Sequence, residues 1–206
     1  MTYLSACATG FALMAGLIVA IGAQNAFILR QGLLKANVTL VVGLAVLIDV
    51  VLTLAGCLGV GGLIHAHPEI LKIVAWAGAA FVLVYGGLAF RRAFDPATLE
   101  SGAGKPLSPG AAARTILAVS LLNPHVYLDT VGIIGSVAGQ YSGTGRLFFA
   151  GGASAASAAW FSGLGFGARF LTPLFASRRA WRILDSMIGV VMVLIAISLV
   201  RLALAW

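Results

Sequence analysis

Six mostly apolar runs, each about 20 residues or longer, divide this chain, and that spacing dictates most of what it can fold into. The runs lie near Tyr3 to Leu29, Val38 to Ile64, Ile70 to Phe90, Thr115 to Gln140, Leu147 to Ala168 and Ile183 to Leu204. A helix of about 20 residues crosses the roughly 30 Å of hydrocarbon in a bilayer, and inside lipid the backbone can satisfy its own polar groups only in helices or closed barrels. The expected fold class is therefore all-α: a polytopic membrane protein of six transmembrane helices. Composition agrees, with 61% hydrophobic and 9% charged residues, against about 25% charged in an ordinary soluble domain. The first run lacks a basic leader and is too long for a signal sequence, so it is read as retained.

The one extended polar segment, Arg91 to Arg114, carries Pro96, Gly102, Gly104, Pro106, Pro109 and Gly110. It reads as a cytoplasmic linker (91–114) between two three-helix halves, 1–90 and 115–206, of a single transmembrane domain covering 1–206. With six crossings, Arg30, Lys35, Arg91, Arg92, Lys105, Arg114, Arg169, Arg178, Arg179 and Arg182 share one side, and only Lys72, Arg146 and Arg201 the other. Basic loops stay in the cytoplasm, which places both termini outside, in the periplasm or extracellular space. A first run that re-enters instead of crossing, at Gly22-Ala23-Gln24-Asn25, would move the N-terminus inside. The net charge of +7 is thus a signal of orientation and of contact with membrane lipid, and not of nucleic-acid binding.

Three helices, a linker and three more give halves of opposite orientation. They share an echo, Gly22-Ala23-Gln24-Asn25-Ala26-Phe27 in the first helix of one and Asn123-Pro124-His125-Val126-Tyr127 in the first helix of the other. Inverted repeats with broken first and fourth helices, at Gly22 and Pro124, are the usual pointer to a transport site near the midplane.

Polar groups inside the runs are costly, about 2.5–3.5 kcal/mol for a central Asp, and normally face a cavity or a partner. Asp49 is the lone ionisable residue of its run, with Thr53 and Gly56 on the same helical face. Asp129 follows His125 by four residues, so the two can meet on one face, and Asn123, Tyr127 and Thr130 form the adjacent stripe. Pro124 frees carbonyls near Ser120 and Leu121 for cationic donors. Gln24 and Asn25 offer amides, either to a ligand or to a neighbouring helix. Each of these groups has a structural alternative, a kinked helix whose polar side chains satisfy one another.

Other features read as structural. In the fifth run Gly151, Ala155, Ala159, Gly163 and Gly167 recur every four residues, as a small-residue packing face between helices does. Asp185, three residues after Arg182, reads as half of an interfacial ion pair. Cys7 and Cys57 read as packing residues, and His65, His67 and Glu69 fall short of a metal set. No phosphate-binding glycine loop is present, so neither a metal site nor a cofactor is expected.

The runs Gly22-Ala-Gln-Asn-Ala-Phe-Ile-Leu-Arg-Gln-Gly32 and Asn123-Pro-His-Val-Tyr-Leu-Asp-Thr130, with the Asp49 helix between them, resemble the LysE/ArgO family of basic amino-acid exporters, over essentially the whole length. The family often has Pro where this chain has Ala23. The resemblance implies a secondary transporter that exports L-arginine or L-lysine from a bacterial cytoplasm across the inner membrane. A cationic substrate needs an anionic partner, and Asp49 and Asp129 are read as the only two deeply placed carboxylates. Either or both are expected to bind the substrate cation and to carry protons the other way, with Gln24, Asn25, Asn123, His125 and Tyr127 completing the site. Export of neutral amino acids, or an ion or metal-ion carrier of the same superfamily, remains an alternative. An enzyme using His125 and Asp129 as acid and base lacks a converging nucleophile or metal set, so the chain is read as no enzyme. Whether it forms a homo-oligomer is open.

Overall fold

The computed structural model describes residues 2–19, 22–59, 68–94 and 106–205, and no strand occurs among them. In chain order the elements are α1 (Tyr3–Ile18), α2 (Ala23–Leu33), α3 (Val38–Cys57), α4 (Pro68–Phe94) and α5 (Pro109–Leu121). There follow α6 (Pro124–Tyr127), a π-helical segment (Leu128–Ile134), α7 (Gly135–Ala138), α8 (Thr144–Gly167), a 3-10 segment (Ala168–Ala176) and α9 (Arg178–Ala205). Four helices are long and apolar enough to cross a membrane, and six spans result if each of two bent pairs counts as one. Those pairs are α1 with α2, bent by 83°, and α5 with the stretch Pro124–Ala138, bent by 62°. The outward surface is apolar at helical spacing, with Leu47, Val51 and Leu54 exposed on α3 and Ile183, Met187 and Val190 on α9. In water such a surface would drive aggregation; in lipid it is the solvated face.

Local chemistry explains where the elements begin and break. Ser108 caps α5, its Oγ accepting from the Ala111 amide at 3.3 Å, and Pro109 occupies the first turn, where its missing N–H costs nothing. Helix therefore starts inside the stretch read as linker, and α4 runs on through Arg91 and Arg92 to Phe94. Residues 95–105 of that linker, and His65 and His67, lie outside the described residues. The second break repeats the device of the first turn of α5. Asn123 Oδ1 accepts from the His125 amide at 3.2 Å, and Pro124 follows the cap.

Two layers of contact bring these pieces together. α4 packs along α9, and α1 along α8, while α3 lies between α8 and the π segment. α1 and α8 meet backbone to backbone: a Cβ at Gly10 would strike the Phe149 carbonyl, and one at Gly152 the Cys7 carbonyl. This corrects the expected packing face of the fifth run. Gly151, Ala155, Ala159 and Gly163 point outward, and the buried face is Gly152, Ala153, Ala156, Ser157, Phe161 and Gly165. The periodicity of small residues was real, but two adjacent faces of this helix are built from small residues and only contact selects one.

A pair of substitutions separates the faces. Gly152→Leu is expected to destabilise the protein by about 3 kcal/mol or more, because a rigid backbone carbonyl cannot yield as a side chain would. Gly151→Leu, with open space at its Cβ position, is expected to leave thermal unfolding in detergent unchanged.

Candidate functional site

Both helix breaks open onto one cavity of about 510 Å³. From the first break come Gly22, Ala23, Gln24 and Asn25; from the second, Asn123, His125, Val126, Asp129 and Thr130; from the middle of α3, Asp49. Met14, Leu17 and Ile18 of α1 close one wall, and Val191, Leu194, Ile195 and Ser198 of α9 another. The structure thus gathers Asp49, Asp129, Asn123, Gln24, Asn25 and His125 around one space, together with Gly22, and leaves Tyr127 and Pro124 out of its lining. Nothing in the local pattern of α9 marked it as a wall, since an apolar span reads the same whether its side chains meet lipid or a cavity.

At the first break α1 ends at Ile18 and α2 begins at Ala23, the two helices bent by 83°. Asn25 ties the two helix ends together, its Nδ2 donating to the Ile18 carbonyl at 2.8 Å while its Oδ1 accepts from Trp160 Nε1 at 3.2 Å. Gly22 precedes α2 in extended conformation and supplies no capping side chain. The opening amides of α2, which have no carbonyl a turn earlier to bond, therefore begin at the cavity wall. Beside them the Gln24 Nε2 is buried and makes no hydrogen bond, so one donor already faces a partner-free position.

The second break is held by its own side chains. Tyr127 donates its hydroxyl to the Leu121 carbonyl at 2.9 Å, taking up an acceptor that the Pro124 interruption leaves over. Thr130 Oγ1 donates to the Val126 carbonyl at 2.6 Å. Asp129 lies in the π segment, a winding that commonly accompanies functional sites because it re-aims a side chain at little cost in backbone bonding. His125 lines the same cavity as Asp129, as the four-residue spacing allows, and its Nε2 also lies 3.3 Å from Ser198 Oγ on α9. The bend turns the ring of α6 toward α9, where a hydroxyl is within reach.

Asp49 is only 4% exposed, and Thr53 on the same face is fully buried. The Asp49 carboxylate Oδ2 accepts from Ser157 Oγ of α8 at 2.6 Å, a partner 108 residues away that spacing along α3 cannot reveal. What sets the depth of Asp49 against Asp129 is a crossing of glycines: a Cβ at Gly56 would strike the Thr130 carbonyl, and one at Gly135 would come within 2.8 Å of the Gly56 carbonyl oxygen. Without side chains at those positions, α3 lies directly on the segment that carries Asp129.

A carboxylate outside the cavity is buried as well. Asp185, 3% exposed, pairs not with Arg182 but with Arg30 of α2, whose Nε lies 3.1 Å from Oδ1, and with Arg92 of α4, whose Nε and Nη2 both lie 3.3 Å from the same oxygen. Arg182 donates to the Ala93 carbonyl at 3.2 Å. The cluster ties the far end of α2 to α4 and α9, and the Arg92 guanidinium rests over the Tyr85 ring at 5.8 Å. Two deep carboxylates were expected; among the described residues Asp49 and Asp185 are buried and Asp129 is half-buried, and of these Asp49 and Asp129 line the cavity.

Comparison with known proteins bears on what such a cavity serves. The family profile described as LysE type translocator matches residues 15–203. A putative amino-acid transporter of Mycobacterium bovis is 45% identical over 184 residues, spanning 89% of this chain and 91% of that protein. The arginine exporter protein ArgO of Serratia proteamaculans is 41% identical over 191 residues, 92% of this chain and 93% of its own. ArgO of Salmonella typhimurium is 40% identical over 194 residues, 93% of this chain and 92% of its own. No solved structure matches. A multi-helix chain with broken helices facing one cavity, matched by the translocator profile over nearly its full length, belongs to the LysE family.

Proposed function

We propose that this protein exports L-arginine, and L-lysine with it, out of a bacterial cytoplasm across the inner membrane in exchange for protons. The observation that carries the reading is that the two cavity carboxylates, Asp49 and Asp129, share one space with the start of α2. A basic amino acid presents the complementary set: a cation at one end of a flexible chain, a carboxylate and an amine at the other.

In this reading Asp129 and Asp49 hold the guanidinium or ammonium group, for which a carboxylate can offer two parallel hydrogen bonds to a guanidinium. The opening amides of α2 and the Gln24 Nε2 receive the substrate carboxylate, since a helix N-terminus favours negative charge. Asn123 and His125 take the amine end, and the aliphatic stem lies along Val191 and Ile195. Asn25 and Tyr127 contribute by holding the two breaks in shape. The halves 1–90 and 115–206, as inverted repeats with both termini outside, would rock about the cavity.

Coupling follows from charge. Moving one positive charge out of an inside-negative cell costs about 2.3 kcal/mol per 100 mV. A proton returning on the same carboxylate cancels that charge movement and spares the closed protein an unpaired buried anion, which is far costlier than a paired one. The curated arginine exporters at 40–41% identity support arginine as the substrate. The test is labelled arginine movement from preloaded proteoliposomes, with and without an imposed proton gradient. Gradient-dependent movement slowed by excess lysine is the expected result; movement that ignores the gradient overturns the exchange, and competition by threonine but not by lysine overturns the substrate class.

A further inference from the structure

α8 contributes no side chain to the cavity lining, yet its buried face holds two residues that do line it. Ser157 donates to Asp49, and Trp160, three positions on, donates to Asn25. Around Ser157 the inward face is otherwise Ala153, Ala156 and Phe161. Its hydroxyl is thus the one polar group that this stretch of α8 presents to Asp49, and Ser157 is itself fully buried.

At 2.6 Å, the contact is as short as hydroxyl donation to an ionised carboxylate usually is. A single tie to Oδ2 limits rotation of the carboxylate and leaves Oδ1 for a ligand. A hydroxyl is also both donor and acceptor. It donates when Asp49 is ionised, and by rotating its proton away it accepts from Asp49 when that carboxyl is protonated. Neither state of the acid then leaves a buried polar atom unpaired, a condition no alanine at 157 can meet.

We infer that Ser157 is a positioning residue for cation binding: it aims one oxygen of Asp49 into the cavity and keeps that carboxylate hydrogen-bonded whether it carries a substrate cation or a proton. This rests on the reading of Asp49 as a cation-binding group. It assigns the second role of α8, beyond packing on α1, to one face of one helical turn.

The experiment compares Ser157→Ala, Ser157→Thr, Asp49→Asn and the Ser157→Ala/Asp49→Asn double variant. Arginine binding to the purified protein is followed by the ligand-dependent shift in thermal unfolding, and efflux by proteoliposome kinetics. Ser157→Ala is expected to weaken arginine binding and raise KM about tenfold, the usual scale for losing a hydrogen bond to a charged group. Unfolding without ligand should also fall somewhat, because a buried Asp49 oxygen is left unpaired, so the ligand-dependent shift and KM are the deciding readouts. Ser157→Thr, which keeps the hydroxyl, should return KM to within about twofold. In the Asp49→Asn background, removing the serine hydroxyl should weaken binding no further. Loss of arginine binding in Asp49→Asn with unchanged KM in Ser157→Ala overturns the role of Ser157 alone. Unchanged arginine binding in Asp49→Asn overturns the reading of Asp49 itself. A Ser157→Thr protein as impaired as the alanine variant shows that space, and not the hydroxyl, is what matters there.

Discussion

Asp129→Asn is expected to abolish arginine efflux, lowering it by about 100-fold or more while the protein still folds. Truncating or neutralising one member of a buried charge pair costs 2–5 kcal/mol, about 30-fold to several thousand-fold in binding. An amide of the same shape keeps the space filled, and Asp129 makes none of the hydrogen bonds that hold its segment: Asn123, Tyr127 and Thr130 make those. The loss should therefore appear in transport and in arginine binding rather than in the unfolding temperature. Asn also cannot take up a proton at this position, so arginine should fail to move under either direction of proton gradient. Efflux unchanged from wild type would remove Asp129 from the site, and leave Asp49 as the only cavity carboxylate to carry the cation. Asp129→Glu, which preserves charge and changes reach, is expected to fall between the two.

Asp185→Ala is expected to act the opposite way, on stability first. Arg30 and Asp185 are 6% and 4% exposed at their side chains, and Arg92 is 23% exposed. Removing one member of a buried ion pair costs about 3–5 kcal/mol because the remaining charge loses its compensation in a low-dielectric site. The lower end applies here, since water reaches part of Arg92. A loss of about 3 kcal/mol corresponds to a drop of about 10 °C in unfolding temperature for a chain of this size. The drop should persist at high salt, because a buried cluster is poorly screened. Arg30→Lys should recover little of it, since an ammonium on a different stem does not reproduce the guanidinium geometry. An unfolding temperature indistinguishable from wild type would mean that the cluster is not what ties α2 to α4 and α9.

The cluster and the cavity lie at opposite ends of the same short helix. α2 begins at the cavity with Ala23, Gln24 and Asn25 and reaches Asp185 through Arg30, near its other end. Five residues separate Asn25 from Arg30, about 8 Å of helix. The Phe27 ring between them stands edge-on to Tyr85, with centroids 6.1 Å apart. A half-helix anchored so firmly at one end is a rigid base for amides that meet the cavity at the other.

What the chain alone determined is what local rules decide. Run length against bilayer thickness, the absent N–H of Pro124, the bare glycine before α2, and the placing of Asp49 and Asp129 within apolar runs all act within a few residues. Each was legible without knowing what lies opposite. The small-residue stripe of α8 marks the limit of that reading, because the spacing identified a face suited to close packing without determining which of two neighbouring faces would be used. Asp185 marks it again. Arg182 is the near partner along the sequence, but Arg30 lies 155 residues away, and a guanidinium brought to it in a desolvated site is held more strongly than one fraying at a helix surface. Ser157, the α9 wall and the glycine crossing at Gly56 and Gly135 are likewise products of the tertiary structure. Their side chains carry no signal of their own, a serine, a few aliphatics and two glycines being ordinary in any membrane helix. They acquire their places only when helices far apart in the chain are pressed together, and that contact, not the spacing along any one helix, brings two lone carboxylates to one cavity.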